Sequence, residues 1–329
     1  MAIASRTGNA TEAEAGLRGA IPTLHELIAL RSGARHLEWL LHQRVRTAGA
    51  GSRQSRFRGR GIDFAEVRVY EPGDDVRHID WRVTARTGQP HTKLFQEERE
   101  RPILVLADLG PSSFFGTRRR MKSVAISELA ALLLWRAYDH GDRVGALVRD
   151  VDDHQAFRPR HSRTTLLRIL RQLELACSDL ARSLSADIPS RPERQPGFSL
   201  GDALEQARRV ARPGSRVLVL SDFADRDVLK EDGVVARNLL QLGRHCDLEV
   251  LHVTDPFERE LPPAALYPVS DGRERRLLDT FPATSRAAWQ QRHQARTEQI
   301  IAMVRRARGR FGSFGTEDDL VARLGNWLR

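Results

Sequence analysis

The sequence predicts an α/β fold with a mainly parallel, doubly wound sheet and helices on both faces, and three observations lead there. Two uninterrupted apolar runs, Ile103 to Ala107 and Val217 to Leu220, have the length and lack of alternation expected of strands buried on both faces. Each run ends in polar residues: Asp108 with Ser112 and Ser113 beyond it, and Ser221 with Asp222. From about residue 101 onward, strand-like and helix-like segments alternate to the end of the chain.

The elements follow in order. Residues 1–20 are small and polar and read as disordered. Residues 21–47 carry Leu24, Leu27, Ile28, Leu37, Leu40 and Leu41 at helical spacing around Ser32-Gly33, giving two N-terminal helical segments. Residues 48–58 are a linker by composition, and residues 59–100 form a small β-rich unit, with Val67 and Val69 alternating with Arg68 and Tyr70 before a Pro72-Gly73 turn. Residues 101–329 are the main domain with its C-terminal extension. In it a helix runs from about Lys122 to His140, stopped by Gly141, and Arg143 to Val148 is the next strand. Ser162 and Ser199 begin two further helices, and a helix near Val234 to Leu242 lies between the strands 216–221 and 248–253. A long basic helix from about Ser285 to Arg308, an apolar stretch at Phe311 to Phe314 and a last helix capped by Thr316 close the chain.

Composition narrows the function classes. No apolar run is long enough to span a membrane, and the first residues lack the apolar core of a secretory signal, so a cytoplasmic protein is expected. Cys177 and Cys246 have neither disulfide-framework nor zinc spacing and read as reduced, buried thiols. The net charge of +10 invites a nucleic-acid reading, yet acidic residues are interleaved with the basic ones. Lysine occurs only at Lys93, Lys122 and Lys230; every other basic residue is Arg. The segment Gly116 to Ser123 places Met121 where a phosphate-binding loop needs Gly, and GxGxxG and HExxH are absent from the sequence.

In an open parallel sheet, ligands sit beyond the carboxyl ends of the strands, where Asp108, Ser112 and Asp222 fall. Two carboxylates and nearby hydroxyls suit a hard cation such as Mg2+. Asp and Ser at strand ends also cap the helices that follow, and either feature alone fits that role.

The stretch from Gly59 to Arg86, which includes Asp63, Glu66, Arg68, Tyr70, Pro72, Gly73, Asp74, Asp75, Arg77, Asp80, Trp81 and Arg86, resembles the signature of the bacterial family known as domain of unknown function 58. The likeness continues through Pro90, Lys93, Phe95, Glu98 and Arg99 to the 103–116 segment, Lys122 and Gly141 to Gly145. It implies a von Willebrand factor A-like domain with a β-rich insertion and association with MoxR-type AAA+ ATPases. An A-domain metal site takes Asp-x-Ser-x-Ser from one strand end, a Thr from a second loop and an Asp from a third. Asp108, Ser112 and Asp222 match that pattern, Gly110 stands in place of the first Ser, and Thr164 or Thr165 are the candidates for the second loop. The resemblance therefore implies a degenerate metal-ion-dependent adhesion-like site, with no cofactor or a weakly bound Mg2+. The Asp/Arg signature reads either as an ion-pair network locking the small unit, with Trp81 packed beneath it, or as a docking face for the ATPase. The expected function is a noncatalytic adaptor between a MoxR-type ATPase and a client protein. Nucleic-acid binding through the Arg-rich surface is the alternative, and a metal-dependent hydrolase a weaker one because no general base is marked.

Overall fold

The computed structural model of the protein describes residues 16–37, 62–71, 76–97, 102–185, 197–225, 228–230, 233–270 and 275–329. The chain divides into two units, one formed by residues 44–100 and the other by residues 1–43 with 101–329. Two short helices lead the larger unit, α1 (Leu24–Ala29) and α2 (Arg31–Ala34). A capping box between Thr23 and Glu26 starts the first. Residues 16–20 are not disordered as expected: the Leu17 N–H donates to Glu128 at 2.9 Å, and Gly19 bridges to Arg120.

The small unit contains an antiparallel pair, β1 (Ile62–Val69) and β2 (His91–Glu97), with a bulge between Phe64 and Glu66. Between them lies α3 (Trp81–Thr87), closed by Gly88 at a φ of +74°. The β-rich expectation thus omitted a helix. Pro72, Gly73, Asp74 and Asp75, where the turn was expected, lie outside the described residues, as does the 48–58 linker.

In the larger unit the chain continues through β3 (Pro102–Asp108), α4 (Lys122–Asp139), β4 (Arg143–Arg149), β5 (His154–Arg160), α5 (Arg163–Ser185), α6 (Leu200–Val210), β6 (Arg216–Ser221), α7 (Val234–His245), β7 (Asp247–Thr254) and α8 (Pro256–Arg259). A separate hairpin, β8 (Leu266–Ser270) with β9 (Arg275–Asp279), precedes α9 (Ala283–Arg306), β10 (Arg310–Gly315) and α10 (Leu320–Leu328). The six-stranded sheet has the order β10-β7-β6-β3-β4-β5, and only β5 runs antiparallel. The apolar stretch at 311–314 is therefore a paired strand. The last helix is capped by Asp319, whose side chain accepts from Val321 and Ala322, and not by Thr316.

Side-chain alternation explains why the strands read as unbroken apolar runs. Ile103, Val105 and Ala107 face one core with α1, α2, α4, α5 and α10, while Leu104 and Leu106 face a second core with α6, α7 and α9. Each fully buried Leu, Val or Ile side chain contributes about 1.5–3 kcal/mol relative to exposure, so both faces must be covered. Helix α4 is buried almost all round because α1 and α2 cover its outer side. The Trp135 indole N–H donates to the Leu27 carbonyl and the Arg136 guanidinium to the Leu37 carbonyl, tying the N-terminal segment to that side.

The strand order also fixes where a site can lie. From β3 the chain moves to β4 on one side and later returns to β6 on the other, so the β3–β6 boundary is the point where connections diverge. A crevice opens at the carboxyl ends of such a pair.

Candidate functional site

Asp108 and Asp222 end up at that boundary, on adjacent parallel strands. The Ser221 hydroxyl joins them by donating to Asp108 Oδ2, and the Ser112 hydroxyl donates to Asp222 Oδ1 at 3.1 Å. Phe223 follows Asp222 at a φ of +52°, with its N–H donating to Ser221 Oγ and its carbonyl accepting from Arg296. A non-glycine residue in that region costs roughly 1 kcal/mol, which the closed hydrogen bonding around it offsets.

Two cations that were not among the expected site residues fill the crevice. Arg149 is the strand partner of Asp108 in the β3–β4 register, and its Nη1 lies 2.7 Å from Asp108 Oδ1 and 3.0 Å from Asp225 Oδ2. Its Nε donates to the Phe198 carbonyl at 2.7 Å. Lys122, the first residue of α4, places Nζ 2.6 Å from Asp222 Oδ2 and 2.7 Å from Glu258 Oε1. Asp108, Asp222, Arg149 and Lys122 are all buried.

The electrostatics follow from that burial. Desolvation pushes the Asp108 carboxyl up, with Arg149 and the Ser221 hydroxyl pulling against it. Burial also works to raise Asp222, but the Lys122 charge and hydrogen bond outweigh it and hold Asp222 below the ordinary carboxylate range. Burial alone would lower Lys122 and Arg149, yet their carboxylate partners hold both above their ordinary values. The raised Arg149 and the 2.7 Å contact favour a charged Arg149–Asp108 pair.

Thr164 and Thr165 do not reach this crevice. Because β5 runs antiparallel, with Arg160 opposite Val144 at the start of β4, the chain enters α5 at the other edge of the sheet. The Thr165 N–H donates to the Ser162 hydroxyl, the ordinary arrangement at the start of a helix. Gly110 offers no hydroxyl, and all four oxygens of Asp108 and Asp222 already accept hydrogen bonds from Arg149, Gly110, Ser221, Lys122, Ser112 or Ala224. The donor set therefore does not fit a near-octahedral Mg2+ ion. Among the described residues, no group of three or more His, Cys, Asp and Glu side chains is arranged to hold a metal.

A third strand end adds to the same edge. Asp255, after β7, accepts from the Thr117 N–H and hydroxyl and from the Thr316 hydroxyl, and it caps α8. These bonds overcome burial and hold its carboxyl below the usual range. Beside it opens a cleft of about 560 Å³ lined by Thr117, Arg118, Pro256, Phe257, Arg259, Glu260, Leu261, Pro262, Pro263 and Glu317.

Those signature residues of the small unit whose side chains the structure describes are half-buried or exposed. The Asp80 side chain accepts from the Arg82 and Val83 N–H groups as the N-cap of α3, a contribution of about 1 kcal/mol. Trp81 is 70% exposed, so it is not packed beneath the signature. It opens a short helix with no buried residue. Arg77 and Arg86 are exposed, Arg68 and Tyr70 half-buried, and Arg68 pairs with Glu71 at 3.3 Å. The backbones of Asp63 and Glu66 pair with Gln96 and Leu94.

The mainly parallel sheet, covered on both faces and carrying this strand-end crevice, defines a von Willebrand factor A-like domain. Residues 66–299 match the family described as protein of unknown function DUF58, and the chain belongs to that family. Uncharacterized proteins of Mycobacterium bovis and Mycobacterium tuberculosis are 31% identical over 238 residues, covering 71% of this chain and 68% of theirs. Among solved structures, a conserved hypothetical protein BatB from Bacteroides thetaiotaomicron is similar at 14% identity and a TM-score of 0.39, over 69% of this chain and 96% of that one. A von Willebrand factor type A structure from Catenulispora acidiphila is similar at 12% identity and a TM-score of 0.37, over 72% and 43%.

Lys122 carried a faint signal in the sequence. In a chain that uses Arg almost everywhere, a rare Lys points to a place that suits a compact ammonium. Arg149, one arginine among many, carried none.

Proposed function

We propose that the protein is a noncatalytic, cytoplasmic interaction adaptor that works with a MoxR-type AAA+ ATPase and engages client proteins at the carboxyl edge of its sheet. The observation that carries this reading is that Asp108 and Asp222, the acids best placed for chemistry, are held in buried pairs with Arg149 and Lys122. A general base has to lie within reach of a substrate proton, and both carboxylates are buried with every oxygen already hydrogen-bonded inside the protein. The edge remains a rigid platform beside an open cleft, whose proline and phenylalanine wall beside Arg118 suits a short peptide segment. The family resemblance supplies the ATPase as the partner.

The test is to mix the full chain with the MoxR-type ATPase of its host and to follow co-migration and ATP turnover. A complex with altered turnover, weakened by Arg118→Glu, is expected. Failure of the two proteins to associate at about 10 μM, roughly the weak end of specific signalling contacts, would remove the ATPase from the reading.

Nucleic-acid binding has less support, because several arginines of the C-terminal region serve the protein itself. Arg286 donates to the Thr280 and Phe281 carbonyls, Arg296 to Phe223, and Arg310 to the Trp327 carbonyl while stacking on its ring. Affinity for duplex DNA that falls steeply between low and moderate salt would revive it.

A further inference from the structure

We infer that Arg149 and Lys122 replace the divalent ion of an A-domain crevice with fixed protein charge, and that Gly110 is the residue that makes room for the substitution. The crevice presents two buried carboxylates, and each needs a positive partner to remain charged away from water. Arg149 supplies it for Asp108 at 2.7 Å, and Lys122 for Asp222 at 2.6 Å. Both cations come from inside the same unit and are themselves buried, so each of the two buried carboxylates has a protein cation beside it without a soluble ion.

Gly110 supplies the second, independent observation. Its backbone lies at φ −65° and ψ 171°, a conformation any L-residue adopts, so no turn geometry demands glycine there. Space does. A Cβ at position 110 would stand 2.9 Å from both Cζ and Nη1 of Arg149 and 3.0 Å from Nη2. A flexible side-chain tip could ordinarily swing aside, but this guanidinium is pinned by Asp108, Asp225 and the Phe198 carbonyl. A hydroxyl residue at 110 and a guanidinium from the end of β4 therefore exclude each other. Position 110 either helps to ligate a cation or admits an arginine in its stead, and this chain has the arginine. The inference concerns only the chemistry of the crevice and holds whether or not the adaptor reading does.

Two measurements test it. In the first, Mg2+ or Mn2+ is titrated into the full chain by calorimetry and thermal melting. No saturable heat is expected, and no rise in Tm beyond about 1 °C at ~10 mM, where a site of ~0.1 mM Kd would give roughly 5 °C. Saturable binding that disappears in Asp108→Asn would overturn the inference. In the second, Gly110→Ala is melted in the native background and in Arg149→Ala. A fall of about 3–8 °C is expected beside Arg149, shrinking to less than half without it, as for overpacking relieved by removing the obstructing group. An equal fall in both backgrounds, or none in either, would show that Gly110 does not make room for Arg149. The metal titration needs no variant for its main result and decides the cation half even if Arg149→Ala fails to fold.

Discussion

At the scale of single residues, Lys122 shows how strongly one side chain can be determined by its partners. Its ammonium meets Asp222 and Glu258 at 2.6 and 2.7 Å, and it sits 5.7 Å from the centroid of the Phe115 ring. Lys122→Met keeps the volume and removes the charge, leaving Asp222 uncompensated, and should cost about 3–5 kcal/mol in denaturant unfolding. Adding Asp222→Asn should recover a substantial part, because removing both charges of a buried pair is far cheaper than removing one. A Lys122→Met variant within about 0.5 kcal/mol of the parent would mean that the pair is solvated in practice. The exposed Arg77 stands at the other extreme. Its side chain is exposed, so solvent screens whatever it pairs with and the large loss expected of a fully buried pair does not apply to it.

At the scale of elements, β7 carries a buried titratable group in the sheet. His252 packs against Phe223 and Phe311 at ring-centroid distances of 6.0 Å each, facing Asp222, Lys122 and His293. Burial lowers its pKa from 6.5 to about 4, although Asp222 pulls upward. The unfolded chain therefore binds the proton more readily than the folded one, and stability present above pH 6.5 is lost as the pH falls towards 4. Relative to His252→Leu, the parent should lose about 3 kcal/mol over that window. A constant difference between the two across pH 4–7, read from urea midpoints, would show that His252 stays neutral without cost. The elements that the sequence made legible are those with apolar runs or caps: β3 and β6 are buried on both faces, and Ser199 starts α6 through a capping box. Strand β5 was not legible, because an edge strand with mostly exposed side chains has no apolar pattern to read. The site was legible only in part for a related reason. Asp108 and Asp222 end apolar runs, whereas Arg149 and Lys122 join them through strand pairing and helix placement, which local pattern does not encode.

At the scale of the whole molecule, the larger unit is assembled from distant stretches of chain, and the segment before the small unit completes its core. Leu17, Leu27, Leu30, Ala34 and Leu37 are buried in the cluster that contains α4. The segment also satisfies a charge. Glu128, fully buried on α4, accepts from the Leu17 N–H and from Arg120, whose other nitrogen reaches the Asp318 carbonyl before α10. Losing this segment would uncover the outer face of α4, which is apolar and is covered there by α1 and α2, and would leave Glu128 with one partner fewer. Each of the buried leucines alone is worth about 2–5 kcal/mol on truncation to Ala, and an ordinary domain has only about 5–15 kcal/mol in total. A chain starting at residue 38 should therefore lose cooperative unfolding, bind an apolar-surface dye, and aggregate at concentrations where the parent is monodisperse. A truncated chain that melted in one sharp transition within about 5 °C of the parent would mean that α1 and α2 decorate a core already closed by α4.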